Sequence, residues 1–246
     1  MGSMVCAAVD EAGDLELVAA VDPGGAGRAA DLGLAVATDL EALVDAGAAV
    51  AVDFTVPSAA TSNGVWCAEH GIHTVIGTTG LDRTALSTLA EAFARSSGTG
   101  CVVAPNFAIG AVLMMRFAEL AAPWFETAEI VELHHDAKAD APSGTALLTA
   151  DRMAAASGEW GADPTRVETL EHARGGRGPA GIRIHSVRLR GLVAHQEVLL
   201  GGEGQSLTIR HDSYDRRSFM PGVLLAIREV VSRPGLTVGL ETLLGI

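Results

Sequence analysis

The sequence predicts a two-part α/β chain: a parallel-sheet domain over roughly the first hundred residues, then an α+β region whose sheet is mostly antiparallel. Two observations predict the first part. Between Met4 and Cys101, short apolar segments alternate with Ala-rich stretches of helical length, the rhythm of parallel strands joined by crossover helices. Gly, Pro and Asp fall between these segments, where turns and caps are needed. A third observation predicts the second part: after Gly110 the rhythm stops, and three strand-like segments separated by turns follow between 183 and 211.

Taken in order, residues 15–21 read as a strand ending at Asp22. Thr38 and Glu41 have the spacing of a capping box, opening a helix that Gly47 closes. A strand at 50–54 leads through Pro57-Ser58 into a helix stopped by Gly71. Residues 73–76 form the next strand, running into Gly77-Thr78-Thr79-Gly80, and Asp82 caps the helix after it. A strand at 101–104 ends at Pro105-Asn106-Phe107. Beyond Gly110 come a helix to about Ala121, a strand at 129–134, a polar loop and a helix at 145–157. Residues 158–181, rich in Gly, Pro and charge, read as a long loop. Strands at 183–189, 195–200 and 206–211 and an apolar helix at 221–231 complete the chain.

Composition narrows the function classes. Of 246 residues 48% are apolar, yet the best uninterrupted apolar run, 108–115, is flanked by Asn106 and Arg116. It is far shorter than the roughly 20 residues a bilayer requires. No basic stretch followed by an apolar core opens the chain, so no secretory signal is expected and the protein is read as cytoplasmic. Seventeen basic residues against 30 acidic ones give a formal net charge of −13, which disfavours nucleic-acid and anionic-membrane partners. A local cluster of cations can still receive a small anion. Cys6, Cys67 and Cys101 are scattered and form no CxxC pair, so neither a disulfide framework nor a metal site is expected.

The most informative stretch is Glu132-Leu133-His134-His135-Asp136-Ala137-Lys138-Ala139-Asp140-Ala141-Pro142-Ser143-Gly144-Thr145-Ala146. Two histidines end a strand, a lysine follows, and Ser143 is placed to cap a helix whose first-turn N–H groups attract anions. This grouping suits a substrate bearing carboxylates, with a proton donor beside it. Each feature alone has an ordinary structural explanation; their convergence in one loop favours chemistry. Neighbouring strand residues rarely chelate one ion together, and no HExxH spacing is present, so metal chelation is the weaker reading.

The run His134-His135-x-x-Lys138-x-Asp140-Ala-Pro-Ser-Gly-Thr145-Ala resembles the signature of the dihydrodipicolinate reductase family, closest to its actinobacterial members. Asp53-Phe54-Thr55-x-Pro57, Gly77-Thr78-Thr79-Gly80, Ala104-Pro105-Asn106-Phe107, Gly191-Leu192-Val193-Ala194-His195-Gln196-Glu197, Arg210-His211-Asp212-Ser213 and Ser218-Phe219-x-Pro221-Gly222-Val223 resemble it as well. The likeness thus spans nearly the whole chain. It implies a Rossmann-like dinucleotide-binding domain at 1–106 and 217–246, and an α+β domain for substrate binding and homotetramer assembly at 107–216.

By position, the resemblance implies that His134 is the catalytic acid/base and Lys138 the proton donor or carboxylate holder. His135, Gly144 and Thr145 would hold the carboxylates of a small dicarboxylate substrate. Gly77, Thr78 and Thr79, with Ala104, Pro105, Asn106 and Phe107, would line the nicotinamide and ribose. The implied reaction is NAD(P)H-dependent reduction of 4-hydroxy-tetrahydrodipicolinate, via dihydrodipicolinate, to tetrahydrodipicolinate in diaminopimelate and lysine biosynthesis. His195, His211, Arg188, Arg190 and Arg210 read mostly as structural or rim residues. Asp22 holds the place of the acidic residue that binds the adenosine ribose. Pro23 stands where members that accept a 2′-phosphate commonly carry arginine, so NADH is favoured over NADPH, with Arg28 the one nearby cation that could compensate.

The departure lies at the front. Met1-Gly2-Ser3-Met4-Val5 resembles the tail of the Gly-rich turn, so the first strand and most of the phosphate-cradling loop are expected to be missing. Met1 would then be an internal methionine, and cofactor binding weaker than in a relative with the loop. A cloning remnant at residues 1–3 is the rival explanation. The rival functions are another amino- or keto-acid dehydrogenase, and a truncated, catalytically silent subunit that serves only binding or assembly.

Overall fold

Chain order starts with α1 (Gly2–Asp10), whose Val5 and Val9 are buried. In the computed structural model, which describes residues 1–25 and 33–246, next come β1 (Ala20–Val21), β2 (Val36–Ala37), α2 (Glu41–Asp45) and β3 (Val50–Asp53). After them run α3 (Pro57–Glu69), β4 (His73–Ile76), α4 (Arg83–Arg95) and β5 (Gly100–Val103). Local chemistry sets most of these boundaries. Pro57 occupies the first turn of α3, where its missing N–H costs nothing. Gly71 then takes φ +70°, which a residue with a Cβ adopts at a cost. The Asp82 carboxylate accepts from the Ala85 N–H at 2.8 Å and caps α4.

Two expectations fail here. The strand expected at 15–21 shrinks to Ala20–Val21, whose one ladder neighbour among the described residues, β2, is itself two residues long; the pair stands as a separate parallel sheet. The expected Thr38–Glu41 capping box does not form. Leu40 holds the N-cap position, and the Thr38 hydroxyl donates to Asp39 Oδ2 at 2.8 Å instead. The helix starts two residues later than that box requires, so the Thr38 oxygen is not at its N-cap.

The second unit, Ala108–Ser218, contains α5 (Ile109–Ala121), β6 (Thr127–His134), α6 (Gly144–Ala156), β7 (Gly176–Arg177), β8 (Arg183–Arg188), β9 (Ala194–Gly202) and β10 (Gln205–Ser213). Its sheet order is β10-β9-β6-β8-β7. Every pairing is antiparallel except β6 with β8. That parallel step needs a crossover connection, and α6 supplies it. β9 and β10 form a hairpin around Glu203-Gly204, with Gly204 at φ +72°. α5 and α6 pack together, and their buried residues include Met114, Met115, Ala146 and Met153; the sheet buries Ile130, Ile184, Val198 and Leu200. The connection after α6 is the expected loop, relieved by a 3₁₀ turn at Pro179–Gly181 and by β7, too short to announce itself in the sequence. Asp163 pairs with Arg183 (2.6 Å) and Arg174 with Glu129 (2.5 Å), so the loop is strapped to the rung where Glu129 faces Arg183.

The chain then returns to the first unit, Met1–Phe107 with Phe219–Ile246, through α7 (Met220–Val230), β11 (Gly235–Val238) and α8 (Glu241–Leu244). β11 carries too few residues to show a pattern, and α8 is only four residues long. β11 pairs with β5, completing a parallel sheet of order β11-β5-β4-β3. β5 is buried at all four positions, as a parallel strand covered on both faces should be. Ile76, Cys101 and Val103 form one core with Ala60 and Ala68 of α3 and Leu89, Ala92 and Phe93 of α4. α7 also packs on β4 and β5, and α1 packs on α7. Among the described residues no helix is long and apolar enough to cross a membrane.

Gly222 of α7 allows a close approach to backbone: a Cβ there would lie 2.1 Å from the carbonyl oxygen of Phe107. Gly to Ala inside a helix ordinarily gains about 1 kcal/mol. Here the obstacle is backbone, which cannot swing aside, and overpacking of this kind costs about 1–3 kcal/mol. Gly222→Ala is expected to lower the melting temperature; a rise would show that the helix shifts freely.

Candidate active site

Alternate residues of a strand share a face, so β6 presents Glu132 and His134 together before the chain leaves the sheet. Glu132 is fully buried. Its Oε2 accepts from His134 Nδ1 at 2.5 Å and from Arg188 Nη1 at 2.9 Å; its Oε1 accepts from Arg188 Nη2 at 2.8 Å and from the Ser143 N–H at 3.2 Å. Arg188 ends β8 directly across from His134 in the parallel register. Its Nη2 also donates to the Asp140 carbonyl at 2.6 Å. Arg188, read from sequence as mostly structural or rim, therefore belongs to this site, and Glu132 had no assigned role at all.

Around that anchor the loop takes a definite shape. The Lys138 N–H donates to the His135 carbonyl, closing a turn, and the Lys138 ammonium donates to both Asp140 oxygens at 2.8 and 2.9 Å. Arg190 Nε donates to Asp136 at 2.8 Å. Ser143 caps α6 as expected, its Oγ accepting from the Ala146 N–H at 3.2 Å. Gly144 opens the helix, exposed, and a Cβ there would meet nothing within 4 Å. His135 and Thr145 are half-buried. Gln196 of β9 donates to Thr149 Oγ1 at 2.8 Å, and Thr149 Oγ1 donates to the Thr145 carbonyl at 2.7 Å, tying the helix start to the sheet.

Burial alone would push the Glu132 carboxyl up, but hydrogen bonds from Arg188, Ser186 and His134 outweigh it and hold the group below its ordinary value. Burial pushes the His134 imidazole down; Glu132 offsets this in part, while Lys138 and Arg188 add to it. A carboxylate only accepts hydrogen bonds, so the proton of neutral His134 sits on Nδ1 and Nε2 carries the lone pair. Asp140 is held low by the hydrogen bond from Lys138.

In the other unit, the loops after β3, β4 and β5 leave the carboxyl ends of parallel strands, where open α/β sheets bind their ligands. Asp53 is buried there. Its Oδ1 accepts from the Thr55 N–H (2.8 Å), the Thr55 hydroxyl (2.7 Å) and the Thr78 hydroxyl (3.3 Å), and its Oδ2 from Asn63 Nδ2 (2.8 Å). The Phe54 ring lies against Gly77, where a Cβ would come within 2.1 Å of it, and meets the Phe107 ring at a tilt of 53°, 5.7 Å between centroids. Thr79 and Pro105 are exposed and Gly77 and Asn106 half-buried, whereas Thr78, Ala104 and Phe107 are buried. Asp22 is exposed after β1, one carboxylate oxygen accepting from the Gly24 N–H at 2.9 Å. Arg28 lies outside the described residues. The exposed Thr79 and the Asp22 carboxylate suit a dinucleotide: a hydroxyl at the carboxyl end of the sheet, and an acceptor for ribose hydroxyls. These residues fit such a cofactor.

A parallel-sheet nucleotide unit joined to an α+β unit with a His–Lys–helix-terminus loop defines an oxidoreductase that uses a dinucleotide cofactor. The chain belongs to the dihydrodipicolinate reductase family: residues 1–107 match its N-terminal domain and residues 110–244 its C-terminal domain. The 4-hydroxy-tetrahydrodipicolinate reductase of Cutibacterium acnes is 54% identical over 248 aligned residues, covering 100% of this chain and 95% of that protein. The Nocardia farcinica enzyme of the same name is 52% identical at the same coverage. Among solved structures, a dipicolinate-bound dihydrodipicolinate reductase from Paenisporosarcina sp. TG-14 superposes with a TM-score of 0.87 at 43% identity, over 98% of this chain and 94% of that one. A myo-inositol 2-dehydrogenase from Lactobacillus plantarum, with a TM-score of 0.61 at 12% identity over 96% of this chain and 88% of that one, shares the fold alone.

The depressed His134 value has a consequence for stability. An unfolded histidine titrates near pH 6.5, so the unfolded chain binds protons that the folded one refuses, and folding weakens as pH falls through that value. Denaturant unfolding at pH 7.5 and 5.5 is expected to show a larger loss for the wild type than for His134→Asn. Equal losses would mean the imidazole is not desolvated.

Proposed function

We propose that the chain reduces 4-hydroxy-tetrahydrodipicolinate, via dihydrodipicolinate, to tetrahydrodipicolinate with NADH or NADPH, as a cytoplasmic homotetramer in diaminopimelate and lysine biosynthesis. The observation that carries this reading is the single loop that gathers His134, Lys138 and the opening turn of α6 around one buried anchor. The names of its relatives support the reaction, and a relative's dipicolinate complex supports a ring dicarboxylate as ligand. The silent-subunit alternative is disfavoured, because relatives named as reductases align with the whole chain.

In this reading the helix terminus attracts one substrate carboxylate, and His135, Gly144 and Thr145 hold it. Lys138 exchanges its Asp140 partner for the substrate and brings an ammonium beside the ring. A bound reduced nicotinamide supplies the hydride. Gly77, Thr78, Thr79, Ala104, Pro105, Asn106 and Phe107 position that cofactor, and Asp22 binds its adenosine ribose. The proton comes from Lys138, and His134, neutral with Nε2 open, serves as the acid/base partner that exchanges protons with the reacting system.

Following cofactor oxidation with the pathway substrate tests the reading. Lys138→Ala is expected to lower turnover by about 10²- to 10⁴-fold while light scattering still gives the wild-type tetramer. A variant keeping more than about a third of wild-type turnover would remove Lys138 as general acid, and a monomeric wild type would remove the assembly.

The enzyme is further expected to favour NADH or to use both cofactors. The exposed Asp22 carboxylate repels a 2′-phosphate, and Pro23 offers no cation to offset it. Specificity constants for the two cofactors decide this; a tenfold preference for NADPH would refute it.

A further inference from the structure

We infer that Glu132, working with Arg188, is the positioning residue of this site: it fixes the His134 ring and the backbone of the 136–143 loop without itself meeting substrate. The inference rests on the reductase reading for its catalytic consequence, but its geometric content stands alone.

Glu132 is fully buried, and a carboxylate out of water is tolerated only with partners. Its partners come from three separate places: the end of β6 through His134, the end of β8 through Arg188, and the cap of α6 through the Ser143 N–H. Arg188 extends the same network to the Asp140 carbonyl. One carboxylate thereby sets both the histidine at the start of the loop and the serine at its end, with Lys138 and its partner Asp140 between them. Both oxygens accept, so the ring must donate through Nδ1, and only Nε2 remains to exchange a proton with a ligand. The bidentate guanidinium also matters. It balances the carboxylate, so Glu132 can orient the imidazole without locking it as an imidazolium, consistent with the lowered His134 value.

Glu132→Gln preserves the shape but removes the charge and puts an NH₂ group opposite N–H donors. It is expected to lower kcat by about 10²-fold or more, with the cofactor KM unchanged. Because Glu132 raises the His134 value, the limb of kcat/KM due to that histidine should move to lower pH. Glu132→Asp should recover part of the activity. The tautomer can be read on the wild-type protein itself by ¹⁵N NMR of labelled histidines, with His134 assigned from its loss in His134→Gln. Neutral His134 is expected to be protonated on Nδ1. An Nε2–H tautomer in the wild type would overturn the inference, and so would a Glu132→Gln enzyme with wild-type kcat and an unmoved limb. If Glu132→Gln does not fold, the wild-type tautomer decides. Because that readout needs no turnover, an inactive wild type with Nδ1–H would defeat the reductase reading and still uphold the positioning.

Discussion

The structure of the second unit follows from one constraint: the Glu132 charge lies where water does not reach. Desolvating a carboxylate costs several kcal/mol, and only close, well-shaped partners offset it. The guanidinium of Arg188 can meet both oxygens because β8 lies beside β6 in parallel, with Arg188 on the rung of His134. Parallel neighbours demand a crossover, the crossover is α6, and α6 starts at Ser143, whose N–H completes the set. Sheet order, helix placement and loop shape are thus tied to a single buried charge. Removing one partner of such a group generally costs more than never having built it.

The first unit uses the same device on a smaller scale. Asp53 closes β3, and its two oxygens gather Thr55, Asn63 and Thr78. The loop after β4 is thereby tied to the end of β3, and Gly77 lets the Phe54 ring settle against its backbone. In both units a carboxylate at or near the end of a strand holds a loop whose remaining residues stay open to solvent. This division lets a rigid sheet present polar groups at fixed spacing.

Legibility in the sequence follows the range of the interaction. Ser143 and Asp82 were readable as caps because a cap acts within three residues, and Gly47 and Gly71 as stops because backbone sterics act at one. The strands at β4, β6 and β8 were readable from their own composition, as was the change from parallel to mostly antiparallel sheet. Thr38 misled because the helix begins at Glu41 with Leu40 at its N-cap, two residues past the position the motif implied. β7 and β11 are strands only by virtue of β8 and β5, and nothing in their few residues says so. The loop from His134 to Thr145 was evident as a motif. Its anchor was not, because Glu132 and Arg188 are 56 residues apart and meet only once the register is known. Arg188 therefore looked like any other strand arginine.

The parallel step from β6 to β8 also separates two kinds of sequence freedom. His134 and Arg188 share the last rung of that ladder, Glu129 and Arg183 the first. At the rise of a strand these ends lie roughly 16 Å apart. α6 carries the chain away from the chemistry, and the connection that follows is fastened toward the distant end, through Gly161 to the Glu126 carbonyl, through Asp163 and Arg174, and through β7 on the start of β8. An insertion or deletion between residues 164 and 173, in the span between those fasteners, would be absorbed there, five rungs from the reacting groups. That segment is the place where a related chain can change its length, or an engineer can graft a new surface, with the catalytic loop left as it stands.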